Sequence, residues 1–315
     1  MTRARRLRPA LLLALPLALL LPFTAHAREA TFPPPAQPAA QAAAQPAGRP
    51  ARPALWKVAD EDTTIWLFGT IHILPGGIEW YGGPVASALE GADALITEIT
   101  QEDAAQAGPT IARLAMAEPP ANLRDGMSPD QRQRYEAALT RLQLPVSLFD
   151  AHDPWFAAVM LTTLPLMRDG YGTVNGAEAL LSQRAKAARL PHLGLETTEY
   201  QLGLFDSLPR EVQLRYLDEV VASLPEIGQD VAAMVEAWKK GEAETLAKLM
   251  NEDEADAALM QVLLVDRNKA WAQWVQERLE TPGRVFVAVG AGHLAGKDSL
   301  QAYLSERGIS VTRVQ

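Results

Sequence analysis

In the body of the chain, short apolar runs alternate with longer amphipathic stretches. Thr63-Thr64-Ile65-Trp66-Leu67-Phe68 is β-branched and aromatic and is stopped by Gly69. Ala94-Leu95-Ile96-Thr97-Glu98-Ile99 is a second such run, and Arg284-Val285-Phe286-Val287-Ala288-Val289, closed by Gly290, is a third. Runs of this length, bounded by glycine, read as buried strands. His192-Leu193-Gly194-Leu195-Glu196 is a weaker fourth, and Ile309 to Val314 looks like a terminal strand of the same core.

Between the strands the apolar period is helical. Pro84 to Glu90 is a short helix with Pro in its first turn. Ser128-Pro129-Asp130-Gln131 has the form of a capping box with Pro at the first helical position. Asp153-Pro154 opens a helix whose Trp155, Phe156, Val159 and Met160 suit a core, and Asn175 is expected to cap a helix over Ala177 to Leu190. Leu208 to Lys240 and Glu254 to Glu280 are long stretches with apolar residues recurring at three and four, and Gly296 to Arg307 is the last helix. Strands near both ends with helices between them predict one α/β domain, a mixed central sheet with flanking helices and a helical insertion.

The first 54 residues obey other rules. Arg3, Arg5, Arg6 and Arg8 precede the apolar Leu11 to Phe23, and Ala25-His26-Ala27 supplies small residues for a cleavage site, so residues 1–27 read as a secretory signal. The competing reading is a retained anchor; the apolar run is short for a span, which takes about 20 residues. Residues 28–54 are dominated by Ala, Pro and Gln and read as a linker, leaving 55–315 as the folded domain. The expected location is periplasmic or secreted, with no stable membrane span once the signal is cleaved.

The absence of cysteine excludes disulfides, thiolate metal sites and cysteine nucleophiles. The net charge of −9 becomes −13 when the four signal arginines leave, which argues against nucleic acid as a partner. There is no H-E-x-x-H helix, no P-loop and no G-x-S-x-G elbow.

Four histidines lie beyond the signal: His72, His152, His192 and His293. Two share one context, strand followed by G-x-x-H: Gly69-Thr70-Ile71-His72 and Gly290-Ala291-Gly292-His293. The carboxyl ends of strands in an α/β sheet are where ligands bind, and neutral imidazole is the commonest protein ligand for zinc-like metals. A single such motif is more often a loop histidine with a local hydrogen bond; two copies after two strong strands bring a functional site level with that reading. Glu98 lies inside an apolar run, where an unpaired charge is costly, and Glu196 sits similarly after Leu195. Strand–GxxH then strand–Glu at one end, and strand–Glu then strand–GxxH at the other, suggest a pseudo-two-fold site. Asp266-Arg267-Asn268 reads either as a solvated helix face or as an Arg neutralising a carboxylate or oxyanion. Glu252-Asp253-Glu254 reads as solvated surface, and Trp155-Phe156 as core.

Leu67-Phe68-Gly69-Thr70-Ile71-His72-Ile73-Leu74-Pro75 resembles the first signature of the TraB/PrgY/GumN family, and Val289-Gly290-Ala291-Gly292-His293-Leu294-Ala295-Gly296 resembles its second. Gly194-Leu195-Glu196-Thr197 with Gln201, and Arg267-Asn268 with Trp271, fall in the family's order. Asn175-Gly176-Ala177-Glu178-Ala179-Leu180 also matches, with Glu178 where the family more often has Asp. The resemblance implies a fold related to the erythromycin esterase and ChaN group, the latter haem-binding. It also implies kinship with Tiki-like metalloproteases that need a divalent ion. It raises Arg267 to a site residue.

The function expected is a metal-dependent hydrolase of the cell envelope, a peptidase first, with a peptide or protein substrate. His72, Glu98 and His293 would hold manganese, cobalt or zinc; Glu196 would act as base or as a supporting partner; Arg267 would stabilise the oxyanion and Asn268 would orient it. The alternative is a non-catalytic protein that sequesters a peptide or haem on the same scaffold.

Overall fold

The computed structural model describes residues 50–251 and 256–315. The expected signal, nearly all of the linker and the stretch Glu252-Asp253-Glu254 lie outside the described residues. The strands are β1 (Leu55–Ala59), β2 (Thr63–Thr70), β3 (Leu74–Pro75), β4 (Ala94–Thr97), β5 (Tyr171–Gly172), β6 (His192–Gly194), β7 (Gly283–Gly290) and β8 (Val311–Arg313). The helices are α1 (Gly83–Glu90), α2 (Gln101–Ala105), α3 (Gly108–Leu114), α4 (Pro129–Arg141), α5 (Pro154–Arg168), α6 (Ala177–Ala188) and α7 (Thr198–Asp206). They continue with α8 (Arg210–Ser223), α9 (Ile227–Lys239), α10 (Ala243–Asn251), α11 (Ala257–Met260), α12 (Asp266–Leu279) and α13 (Leu300–Glu306).

Six strands form one mixed sheet in the order β6-β4-β7-β2-β1-β8; β3 and β5 pair separately. The four strands β6, β4, β7 and β2 are parallel, whereas β1 is antiparallel to both β2 and β8. Side chains of β7 alternate across the sheet: Phe286 and Ala288 join a core with α1, α6, α9 and α10, while Val285, Val287 and Val289 join another with α12 and α13. Burial on both faces explains why these strands read as continuous apolar runs. A third core, around Trp155, Phe156, Leu161 and Tyr216, holds α4, α5, α7 and α8 together as the expected helical insertion.

Most elements lie where the pattern puts them, and the exceptions have physical causes. The stretch 208–240 is two helices, α8 and α9, parted at Leu224-Pro225-Glu226, since Pro225 has no N–H to continue a helix. The cap of α6 is Gly176, in extended conformation, with Asn175 in a preceding 3₁₀ turn. The last helix starts only at Leu300, where the Ser299 side chain accepts the Ala302 N–H. Ala51 and Ala54 are buried, and Ala51 N–H donates to the Glu79 carbonyl, so packing begins before Leu55. The strand order also sets the two GxxH strands side by side and the two glutamate strands side by side.

One close approach fixes the site's geometry. The Ala177 N–H donates to the Ile71 carbonyl, and a Cβ added at Gly176 would stand 2.1 Å from the His72 carbonyl oxygen. Backbone cannot yield as a side-chain tip can. Gly176→Ala is therefore expected to cost at least about 1–3 kcal/mol, measured by urea unfolding, whereas Gly203→Ala, which meets nothing, should not destabilise.

Candidate active site

The four parallel strands end on one edge of the sheet, and each delivers one polar side chain within a few residues of its end. In spatial order these are Glu196 after β6, Glu98 after β4, His293 after β7 and His72 after β2. Glu98, His72 and His293 are all buried.

Arg267 reaches this edge from α12 and is wholly inaccessible. Its Nη2 donates to Glu98 Oε2 at 2.5 Å and to Glu196 Oε2 at 2.8 Å. Its Nε donates to both oxygens of Glu196 at 3.0 and 3.2 Å. Nη1 donates to the Leu263 carbonyl at 3.1 Å and lies 3.0 Å from His293 Nε2. Leu263 belongs to a π-helical turn, Gln261–Val265, that leads directly into α12; such turns shift the helix register, and here the turn's carbonyl receives the guanidinium. Burial opposes the charge on Arg267, but the two carboxylates outweigh it and raise its pKa, so it remains a cation.

The carboxylates are held from other sides too. The side-chain amide of Gln201, on α7, donates to Glu98 Oε2 at 3.0 Å and to Glu196 Oε2 at 2.8 Å. The indole N–H of Trp271 donates to Glu196 Oε1 at 2.9 Å. The N–H of Gly290, the first residue of the second GxxH motif, donates to Glu98 Oε1 at 2.7 Å. For Glu98, burial first and the neighbouring Glu196 raise the pKa against the pull of Arg267 and His72.

Both imidazoles are fixed through Nδ1. Asn268 donates through Nδ2 to the Asp298 carbonyl at 2.7 Å, so its Oδ1, 2.7 Å from His293 Nδ1, is the acceptor for the ring N–H. Nε2 then carries the lone pair, which faces the Arg267 donor. His72 Nδ1 is 2.5 Å from Glu178 Oε1. Burial works against the Glu178 carboxylate, yet His72 and the Thr70 hydroxyl hold its pKa below the ordinary value. Glu178 also stands in the first turn of α6, where the helix dipole favours an anion.

Glu98, Glu196, Arg267, Asn268 and His293 thus form one hydrogen-bonded network, and His72 stands at the neighbouring strand end, tied to Glu178. Asn268 orients His293; it is Glu196, with all its donors, that orients Arg267. Gln201, Trp271 and Glu178 were marked in the sequence only by resemblance, and each has a direct contact here. His152 lies elsewhere, stacked on Phe156 at 4.9 Å, and His192 Nε2 sits 2.7 Å from the Thr97 hydroxyl.

Among the described residues no group of three or more His, Cys, Asp or Glu side chains is already arranged to hold a metal ion. The chemistry of the donors nevertheless fits a divalent ion that prefers nitrogen and oxygen: two imidazoles with Nδ1 held, and a carboxylate beside them. His293 Nε2 and Glu98 Oε1 are 4.0 Å apart, against about 3.4 Å for two ligands of one tetrahedral ion.

Removing one donor from Glu196 while keeping an aromatic ring tests the network. Trp271→Phe should cost about 1–3 kcal/mol in urea unfolding. Trp274→Phe, at a partly buried position on the same helix, should cost clearly less. Equal costs would mean that the indole N–H contributes nothing.

The family model described as TraB/PrgY/gumN matches residues 54–313, nearly all of the described chain. The protein YbaP of Escherichia coli strain K12 is 27% identical over 242 residues, covering 76% of this chain and 86% of its own length; YbaP of Shigella flexneri matches to the same extent. No solved structure matches the chain. With a match that spans both GxxH motifs, both glutamates and Arg267, the chain belongs to the TraB/PrgY/gumN family.

Proposed function

We propose that this protein is a metal-dependent hydrolase of the cell envelope, acting first on peptides. One observation carries the reading: a buried cluster at the carboxyl edge of a parallel sheet holds two carboxylates against one guanidinium, with two oriented imidazoles alongside. With both carboxylates ionised, the Glu98–Glu196–Arg267 group has one negative charge in surplus. A surplus buried charge is costly until a proton or a second cation meets it.

His72, Glu98 and His293 are the residues that would hold the ion, with manganese, cobalt or zinc as candidates. When bound, such an ion supplies a Lewis acid and an acidified water. The protein supplies the rest. Glu178 and Asn268 hold the two rings by Nδ1. Arg267, whose N–H groups are already taken by Glu98, Glu196, the Leu263 carbonyl and His293, would act on negative charge developing on a carbonyl oxygen through its field alone, an effect that is strongest where water is excluded. Glu196, Gln201 and Trp271 fix Arg267, which makes Glu196 its positioning partner in preference to a general base. An ion held at His293 Nε2 would share that lone pair's side with the Arg267 Nη1 donor, 3.0 Å away.

No helix among the described residues is long and apolar enough to cross a membrane. An envelope location rests on the arginine-rich, apolar leader read in residues 1–27, and a peptide substrate on the kinship with Tiki-like proteases.

The test is elemental analysis of the full chain after loading with manganese, cobalt or zinc and desalting, beside His72→Ala/His293→Ala, and then cleavage of a peptide library read by mass spectrometry. Near-stoichiometric metal and cleavage in the wild type, with neither in the variant, are expected. Absence of metal from both proteins would contradict the reading and favour a peptide- or haem-sequestering role on the same scaffold; a Soret band after haem addition would identify the haem form.

A further inference from the structure

The contact between Arg267 and His293 bears on ion affinity. Asn268 Oδ1 takes the ring N–H at Nδ1, so His293 Nε2 has one lone pair, in the ring plane, and Arg267 Nη1 lies 3.0 Å from it. A metal–imidazole bond is about 2.0–2.1 Å long, so an ion on the line from Nε2 to Nη1 would stand roughly 1 Å from Nη1. Even about 60° off that line it would stand under about 3 Å from Nη1. No anion fits between two cations so close, and their repulsion is unscreened by water in a buried site.

The same guanidinium also engages a second residue read as an ion ligand. Its Nη2 donates to Glu98 Oε2 at 2.5 Å, while the Gly290 N–H takes Oε1, the oxygen 4.0 Å from His293 Nε2. One side chain therefore spans His293 and Glu98. It is held in that place from the other side by Glu196 at Nε and by the Leu263 carbonyl at Nη1. Those two partners are not among the residues read as ion ligands, so the hold on Arg267 is independent of an ion.

We propose that Arg267 is a built-in competitor of the metal ion: its hydrogen bond to His293 Nε2 and an ion at that nitrogen exclude one another, and this contact sets the ion affinity. The idea concerns regulation of the site read above as metal-dependent, and it rests on that reading. By linkage, the apparent affinity falls by the fraction of molecules in which the contact is open, and bound ion weakens the contact in return.

The probe is zinc alone, and its affinity for the full chain is measured by competition with a chromophoric chelator, beside Arg267→Met. A folded Arg267→Met protein is expected to bind zinc at least about tenfold more tightly, the scale of one hydrogen bond to a charged group. Equal or weaker binding by that variant overturns the proposal. Loss of charge alone would also tighten binding, so a second measurement reads the contact itself and needs no variant. It is NMR of the wild type with isotope-labelled arginine and histidine. As zinc is added, the His293 Nε2 signal should shift and the Arg267 Nη1 protons should lose their protection from exchange. Zinc bound at His293 with the Nη1 protons unchanged overturns the competitor role and leaves the metal reading standing. Zinc bound by Arg267→Met alone supports the proposal in its strongest form. Zinc bound by neither protein removes the metallohydrolase reading and the competitor with it.

Discussion

The guanidinium of Arg267 is the part of this molecule that everything else at the carboxyl edge depends on. A cation with no solvent exposure is tolerable only with anions in direct contact, and two carboxylates alone in the same space would repel one another. Each is therefore the condition for the other. Five donated hydrogen bonds to Glu98, Glu196 and the Leu263 carbonyl, with the sixth contact to His293 Nε2, consume the donor capacity of the side chain. A lysine has neither the planar fork nor the number of donors to span these partners.

The fold makes that arrangement available by bringing four strand ends to one line. β7 enters the sheet late in the chain and inserts between β4 and β2, which places His293 next to Glu98 although 195 residues separate them (positions 98 and 293). The helical insertion contributes as well, since α7 carries Gln201 to both carboxylates. Trp238 steadies the other side by donating its indole N–H to the Gly69 carbonyl at 2.8 Å, which ties α9 to the start of the first GxxH turn. The site is thus a junction of the sheet, α6, α7 and α12, and its stability is shared among them.

Much of this was legible in the amino-acid order. The strand–glycine–histidine repeats and the glutamates set in apolar runs identified Glu98, Glu196, His72 and His293, because a charged or titratable group beside buried strand residues needs a partner. Arg267 was ambiguous on local grounds: Asp266-Arg267-Asn268 has the composition of a solvated helix face, and only family resemblance marked it. Gln201, Trp271 and Glu178 gave no local signal, since a Gln or Trp on an amphipathic helix looks the same whether its polar atom meets water or a buried carboxylate. Strand order was likewise invisible, because it is fixed by long-range pairing of β7 with both β2 and β4. The cap of α6 fell to Gly176 in place of Asn175 for a similar reason: contact with the His72 carbonyl leaves no room there for a Cβ.

The mutual dependence of Arg267 and its carboxylates is measured most directly by a thermodynamic double-mutant cycle on Arg267→Met and Glu196→Gln. Urea unfolding of the wild type, both single variants and the double variant should show each single change costing about 3–5 kcal/mol, and the pair costing less than the sum by about 2 kcal/mol or more. Additive losses would contradict that dependence and reduce Arg267 to one buried side chain among many.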